Sequence, residues 1–203
     1  MDGECILSEI GGIDRHDCGA DSYEGSRTSD VYASARTDQG GVIPMSRPSW
    51  DAYFMRMAHL ASTRSTCLRR KVGAVIVKDR MVLTTGYNDT PRGVRNCGEG
   101  GCARCAGDAP SGTSHDTCLC IHAEMNCVIQ AAYHGVSVAA GTVYCTYLPC
   151  LTCAKILLNV GISRIVFEGD YPDPLSLELL MNANVELVRH AEEGIPSWAS
   201  GSV

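Results

Sequence analysis

Apolar positions at Tyr53, Phe54, Met57, Leu60 and Ala61 recur at helical spacing behind Ser49 as an N-cap. They predict a helix that ends near residues 65–67. Two short apolar β-branched runs follow at 72–77 and 81–87, joined by Lys78-Asp79-Arg80. That spacing predicts an antiparallel hairpin. Residues 88–93 read as a loop, and 94–121 as a Cys- and Gly-rich insertion with little apolar content. From residue 122 onward helix and strand alternate: helices at 122–134, 151–160 and 173–182, strands at 142–147, 164–168 and 185–189. Alternation of this kind predicts parallel pairing through right-handed crossovers. The sum is an α/β fold, a three-layer α/β/α sandwich around a mixed five-stranded sheet.

The flanks change the domain count. Residues 1–44 are rich in Gly, Ser and Asp without apolar periodicity. They bury too little to offset their ordering entropy, and are expected to form a disordered acidic tail. The folded domain is expected at 45–190, with the insertion at about 94–121, and a flexible tail at 191–203. The formal net charge of −6 belongs to the N-terminal tail, where nine acids face three arginines; the remaining fourteen acids and fourteen bases cancel. A neutral domain lacks the basic footprint of a nucleic-acid binder, so no nucleic-acid partner is expected. No apolar run reaches the roughly 20 residues that span a membrane, so no membrane partner is expected. The N-terminus lacks a basic n-region followed by an apolar stretch, and it is too acidic for a typical transit peptide. Twelve cysteines without such a signal point to metal or thiol chemistry in a reducing compartment. The expected location is cytoplasmic, with the nucleus left open.

Chemistry concentrates in two motifs. His122-Ala123-Glu124 is complemented by Pro149-Cys150-Leu151-Thr152-Cys153. One imidazole and two thiolates suit Zn2+ in a tetrahedral site, and three protein ligands leave the fourth position open, as catalytic zinc requires. Both motifs fall at predicted helix starts on one edge of the sheet, where the helix dipole favours thiolate. Glu124 stands beside the metal but outside the ligand set, where a proton-shuttling carboxylate is needed. This is the zinc nucleobase deaminase signature, in which zinc-activated water attacks C4 of a cytosine ring and the glutamate moves the protons. The bland alternative is a structural zinc whose fourth ligand comes from a neighbouring cysteine. Cys127 and Cys145 lie in apolar periodic segments and read as buried small hydrophobes. His59, His134 and His190 read as surface or packing residues.

From about residue 47 to 189 the chain resembles the deoxycytidylate (dCMP) deaminases of the zinc-dependent cytidine/deoxycytidylate deaminase superfamily. The resemblance runs through Arg47-Pro48-Ser49-Trp50-Asp51, Arg64-Ser65-Thr66-Cys67, Lys71-Val72-Gly73-Ala74-Val75-Ile76-Val77 and Gly86-Tyr87-Asn88. It continues through Asn96-Cys97, Gly101-Cys102-Ala103-Arg104-Cys105, Cys118-Leu119-Cys120, both zinc motifs and Tyr171-Pro172-Asp173. It implies a cytidine deaminase-like fold and hydrolysis of dCMP to dUMP and ammonia, feeding dTMP synthesis. It also implies a homo-oligomer, a hexamer in similar proteins, and nucleotide contacts from Arg70, Asn88, Ala123 and Tyr171. For Arg70 and Tyr171 the plain alternatives are a solvated helix-end charge and a rim aromatic; for Asn88 it is a turn former. Rival readings are a deaminase of dCTP, cytidine or tRNA adenosine, and a zinc-stabilised binding module that would not need Glu124.

Similar proteins use a Gly-Tyr-Asn-Gly loop to bind dCTP and dTTP as effectors, with Mg2+ accompanying the triphosphate. Here Asp89 stands at the last position. A carboxylate repels phosphate oxygens, and a non-Gly residue restricts φ, so effector control is expected to be weakened, altered or absent. In similar phage enzymes a structural zinc occupies positions matching Cys67, Cys97 and Cys120. The resemblance therefore implies at least one structural Zn2+ beside the catalytic one. Cys102, Cys105, His115 and Cys118 are candidates for a further site, with free or disulfide-paired thiols as the alternative. A loop so poor in apolar residues gains its folding energy from metal. Cys120 then faces the structural metal while His122 faces the catalytic one.

Overall fold

The structure is a computed structural model and describes residues 47–110, 113–171 and 173–191. The expected tails, apart from Ala191, fall outside these residues. An inner strand of the sheet is β1 (Gly73–Lys78), buried along nearly its whole length. Both faces of this strand are covered, which is why its sequence is a continuous apolar run instead of an alternating one. It pairs antiparallel with β2 (Met81–Tyr87) on one side and with β3 (Thr142–Tyr147) on the other. Lys78 faces Met81 across a two-residue turn in which Asp79 and Arg80 have φ of 51° and 63°. Two positive φ values in a row give the hairpin turn whose twist matches its strands. Beyond β3, β4 (Arg164–Gly169) and β5 (Glu186–Arg189) add in parallel, so the order is β2-β1-β3-β4-β5. The expected mixed five-stranded sheet is present.

Side-chain alternation sends each strand's residues to two different cores. On one face α1 (Trp50–Ser62) packs Phe54, Met55 and Ala58 against Val75, Val77, Tyr144 and Val166. Ser49 caps this helix, its hydroxyl accepting from the Ala52 amide at 3.1 Å. Asp51 anchors it to the sheet: the carboxylate accepts two bonds of 2.8 Å from Arg164 and one of 2.8 Å from the Tyr144 hydroxyl. The other face carries α3 (Ala123–His134), α4 (Leu151–Asn159) and α5 (Pro174–Asn182). Their Ala123, Cys127, Ala131, Ala154, Leu157 and Leu180 meet Ala74, Ile76, Val143, Cys145, Ile165 and Phe167. Small residues on α3 let it sit close to the strands. Cys127 and Cys145 are fully buried here, within that core.

The insertion holds only short elements: a turn of 3-10 helix at Cys97–Glu99, α2 (Ala103–Ala106) and another 3-10 turn at His115–Thr117. What it buries is sulfur. Cys67, Cys97, Cys102, Cys105 and Cys120 form a core cluster of their own, with Cys118 packed against it. No helix among the described residues is long and apolar enough to cross a membrane.

Candidate active site and metal centres

His122 and Cys150 occupy equivalent places, the N-cap positions of α3 and α4. Neither uses its side chain to cap its helix, so the imidazole and the thiol can meet. His122 Nδ1 lies 3.3 Å from Cys150 Sγ and 3.4 Å from Cys153 Sγ. Bonds of about 2.3 Å to sulfur and 2.0 Å to nitrogen at tetrahedral angles put such atoms about 3.5 Å apart, so the three residues fit zinc. Cys153 and His122 beside it hold the Cys150 thiol down at about 4, in the thiolate range that metal ligation requires. Its neighbour Cys150 and burial push Cys153 the other way. Two sulfurs and an imidazole converging in this way are a donor set that a bound cation would hold with both thiols deprotonated.

Glu124, one residue into α3, is buried and outside this ligand set. Burial raises its carboxyl above the ordinary range, opposed by the adjacent His122. A carboxyl held beside the metal site but outside its ligand set can both take and return a proton.

Remote contacts fix the two helix starts. Asn126 donates from Nδ2 to the Tyr87 carbonyl at 2.7 Å, tying α3 to the end of β2. Gly86 lets the two approach: a Cβ there would stand 2.2 Å from the Ala123 carbonyl oxygen. At α4 the Leu151 amide donates to Asp173 Oδ2 at 2.8 Å, while Asp173 Oδ1 accepts from Ser176 N and caps α5. Ser176 in turn donates to the Pro149 carbonyl at 2.6 Å. Asp173, Ser176 and Asn126 are positioning residues that sequence reasoning did not single out. Asp173 before Pro174 is a legible N-cap for α5, but its bond across to α4 leaves no sequence signal.

His122, Glu124 and Cys150 line a cavity of ≈ 430 Å³, and Arg70, Asn88, Ala123 and Tyr171 all border it. Arg70 lies over the Tyr147 ring at 4.4 Å and over Tyr171 at 6.0 Å. Its Nη1 is buried and makes no hydrogen bond among the described residues. The neighbouring arginines are spent on the insertion: Arg69 donates to the Gly107 and Ala109 carbonyls, and Arg104 to Pro110 and Thr113. Asn88 is engaged by the backbone. Its Oδ1 accepts from Val72 N at 2.7 Å and its Nδ2 donates to the Arg70 carbonyl at 2.9 Å. It thereby fixes the segment that carries Arg70, in addition to bordering the cavity.

Asp89 has a different place from the one an effector loop suggests. Its carboxylate is buried and accepts from Thr66 N at 3.0 Å, Thr66 Oγ1 at 2.8 Å and Thr90 N at 2.8 Å. Its φ is not among the positive values, and its backbone bridges to Ile121. The residue joins the Gly86-Tyr87-Asn88 loop to both flanks of the insertion.

The cysteines form two further groups with metal-ligand spacing: Cys67, Cys97, Cys105 and Cys120, and Cys102, Cys105, Cys118 and Cys120. Cys105 thus joins the expected set of Cys67, Cys97 and Cys120, and Cys120 joins the second set. The His115 side chain falls outside the described residues. All ten cysteines among those residues are free thiols.

Comparison with known proteins agrees with this arrangement. Residues 48–169 match the model of the cytidine and deoxycytidylate deaminase zinc-binding region. Deoxycytidylate deaminase of Schizosaccharomyces pombe is 47% identical over 142 residues, 70% of this chain and 44% of that protein. The chain thus spans less than half the length of that relative. Deoxycytidylate deaminase of Mycobacterium phage D29 is 40% identical over 131 residues, 62% of this chain and 99% of that one. The crystal structure of dCMP deaminase from cyanophage S-TIM5 in complex with dCMP and dUMP matches with a TM-score of 0.59 at 28% identity, covering 71% of this chain and 99% of that one. With the zinc-binding region matched over most of the described residues, the chain belongs to the cytidine and deoxycytidylate deaminase family.

Proposed function

We propose that this chain hydrolyses dCMP to dUMP and ammonia. The observation that carries the reading is the metal-ligand group of His122, Cys150 and Cys153 at a cavity lined by His122, Cys150 and the buried Glu124, which is outside that ligand set. Zinc held by His122, Cys150 and Cys153 would supply a water acidic enough to act as the nucleophile near neutral pH. Glu124 takes the proton from that water and places it on N3 of the cytosine ring. It then takes the remaining proton from the hydroxyl added at C4 and delivers it to the exocyclic nitrogen as C4–N breaks and the C4 carbonyl forms, so that water and dCMP become dUMP and ammonia. His122 and the two cysteines orient the reacting centre from helix starts that Asn126, Asp173 and Ser176 hold in place.

Arg70 supports a monophosphate over a nucleoside. Its guanidinium is packed against Tyr147 and keeps an unsatisfied donor at the cavity, the chemistry that captures phosphate oxygens. The names of the relatives and the dCMP bound in the cyanophage protein support the same substrate. Replacing Arg70 with Gln is expected to raise KM for dCMP by about 10–100-fold, the loss of a charge-assisted bond. KM for cytidine, which has no phosphate, should stay within a factor of about two. Steady-state kinetics on both substrates decides this: equal losses on dCMP and cytidine would refute a phosphate role for Arg70.

A further inference from the structure

We propose that the insertion holds two zinc ions in one binuclear thiolate cluster. Cys105 and Cys120 bridge both metals, Cys67 and Cys97 complete one tetrahedron, and Cys102 and Cys118 complete the other. Cys67, Cys105, Cys118 and Cys120 border the same cavity as His122 and Glu124, but the metal content of the cluster does not depend on what that cavity deaminates.

The partition of the sulfurs carries the inference. Two complete four-cysteine groups exist, and they share two members, Cys105 and Cys120. Neither Cys67 nor Cys97 belongs to a group with Cys102 or Cys118. That is the connectivity of two tetrahedra joined along an edge. The spacing agrees. Cys105 Sγ lies 3.9 Å from Cys67, 3.8 Å from Cys118 and 3.9 Å from Cys120, and Cys102 lies 3.9 Å from Cys118. A zinc with four bonds of about 2.3 Å to sulfur has S···S edges of about 3.8 Å. Cys105 makes three of these four contacts, as a bridging atom must.

A single zinc would use four of the six sulfurs and leave a pair of thiols at metal-ligand spacing with no ligand. Amides also point at the outer sulfurs: Arg69 and Arg70 at Cys67, Leu68 at Cys97, Leu119 and Cys105 at Cys102. Such N–H donors commonly stabilise metal-bound thiolate. Two Zn2+ ions displacing six thiol protons leave the cluster with a net charge of −2, the same as one zinc with four thiolates, while satisfying every sulfur. Among the described residues the cluster is also the core of the insertion, since the packed side chains there are the cysteines themselves. Its ligands flank the working residues: Cys67 leads into Arg70, and Cys120 is two residues from His122.

The test is zinc content and zinc X-ray absorption on the full chain, saturated with zinc and desalted. One zinc per metal-binding group gives three per chain. The absorption spectrum should show a Zn–Zn distance of about 3 Å, set by two bridging sulfurs at about 2.3 Å from each metal. Cys102→Ser should remove one zinc and Cys105→Ser two. Two zincs per chain, or three without a Zn–Zn distance, would overturn the proposal. The spectrum of the unaltered chain decides even where a variant fails to fold.

Discussion

Glu124→Gln should keep the zinc and the fold and lose turnover by about 10²–10⁴-fold, the contribution of a positioned general acid–base. Glutamine has nearly the same shape, and Glu124 is outside the His122, Cys150 and Cys153 ligand set, so the donor atoms are untouched. The site already disfavours charge there, because burial raises the Glu124 carboxyl. A neutral amide is therefore no burden on stability. What it cannot do is take the water proton or return it to the ring and the leaving nitrogen. The checks are kcat, zinc per chain and thermal midpoint measured together. Turnover within tenfold of the parent, with zinc retained, would remove Glu124 from the chemistry.

Gly86→Ala should damage both stability and rate although residue 86 touches no reacting atom. The added Cβ would lie 2.2 Å from the Ala123 carbonyl oxygen and 2.9 Å from the Cys127 amide nitrogen. Both are backbone atoms of the helix that begins at His122, so relief requires that α3 move off β2. Overpacking of this kind typically costs about 1–3 kcal/mol. At a glycine whose φ and surroundings tolerate alanine, the same change would stabilise by about 0.4–1 kcal/mol. The displaced α3 start carries Glu124 and His122 with it, and a shift of about 1 Å at a reacting centre can cost about 10²-fold in rate. Denaturation and kcat on one preparation check this. An unchanged midpoint together with unchanged kcat would show that the close approach is not needed.

Much of this arrangement is legible in the sequence because it is local. Helical spacing marks α1, and the short Lys78-Asp79-Arg80 connection between apolar runs marks the β1–β2 hairpin. His122-x-Glu124 and Cys150-x-x-Cys153 meet because each begins a helix and the alternating pattern puts both helix starts on one side of the sheet. The unread part is long-range. Asp89 reads as an altered effector loop, yet the carboxylate is consumed by Thr66 and Thr90 amides and a hydroxyl. Asp173 reads as the start of a helix, yet it caps α5 and also holds the Leu151 amide of α4. The sharing of Cys105 and Cys120 between two groups depends on how segments around 67, 97–105 and 118–120 fold together. No periodicity encodes such contacts, because they join chain segments through space.

The most direct measurement is the rate of ammonia release from dCMP, cytidine and dCTP at equal concentration by the zinc-loaded chain. The account predicts that dCMP turns over fastest, that a chelator abolishes the activity, and that added zinc restores it. Faster conversion of cytidine than of dCMP, or dCMP turnover that survives complete zinc removal, would contradict it.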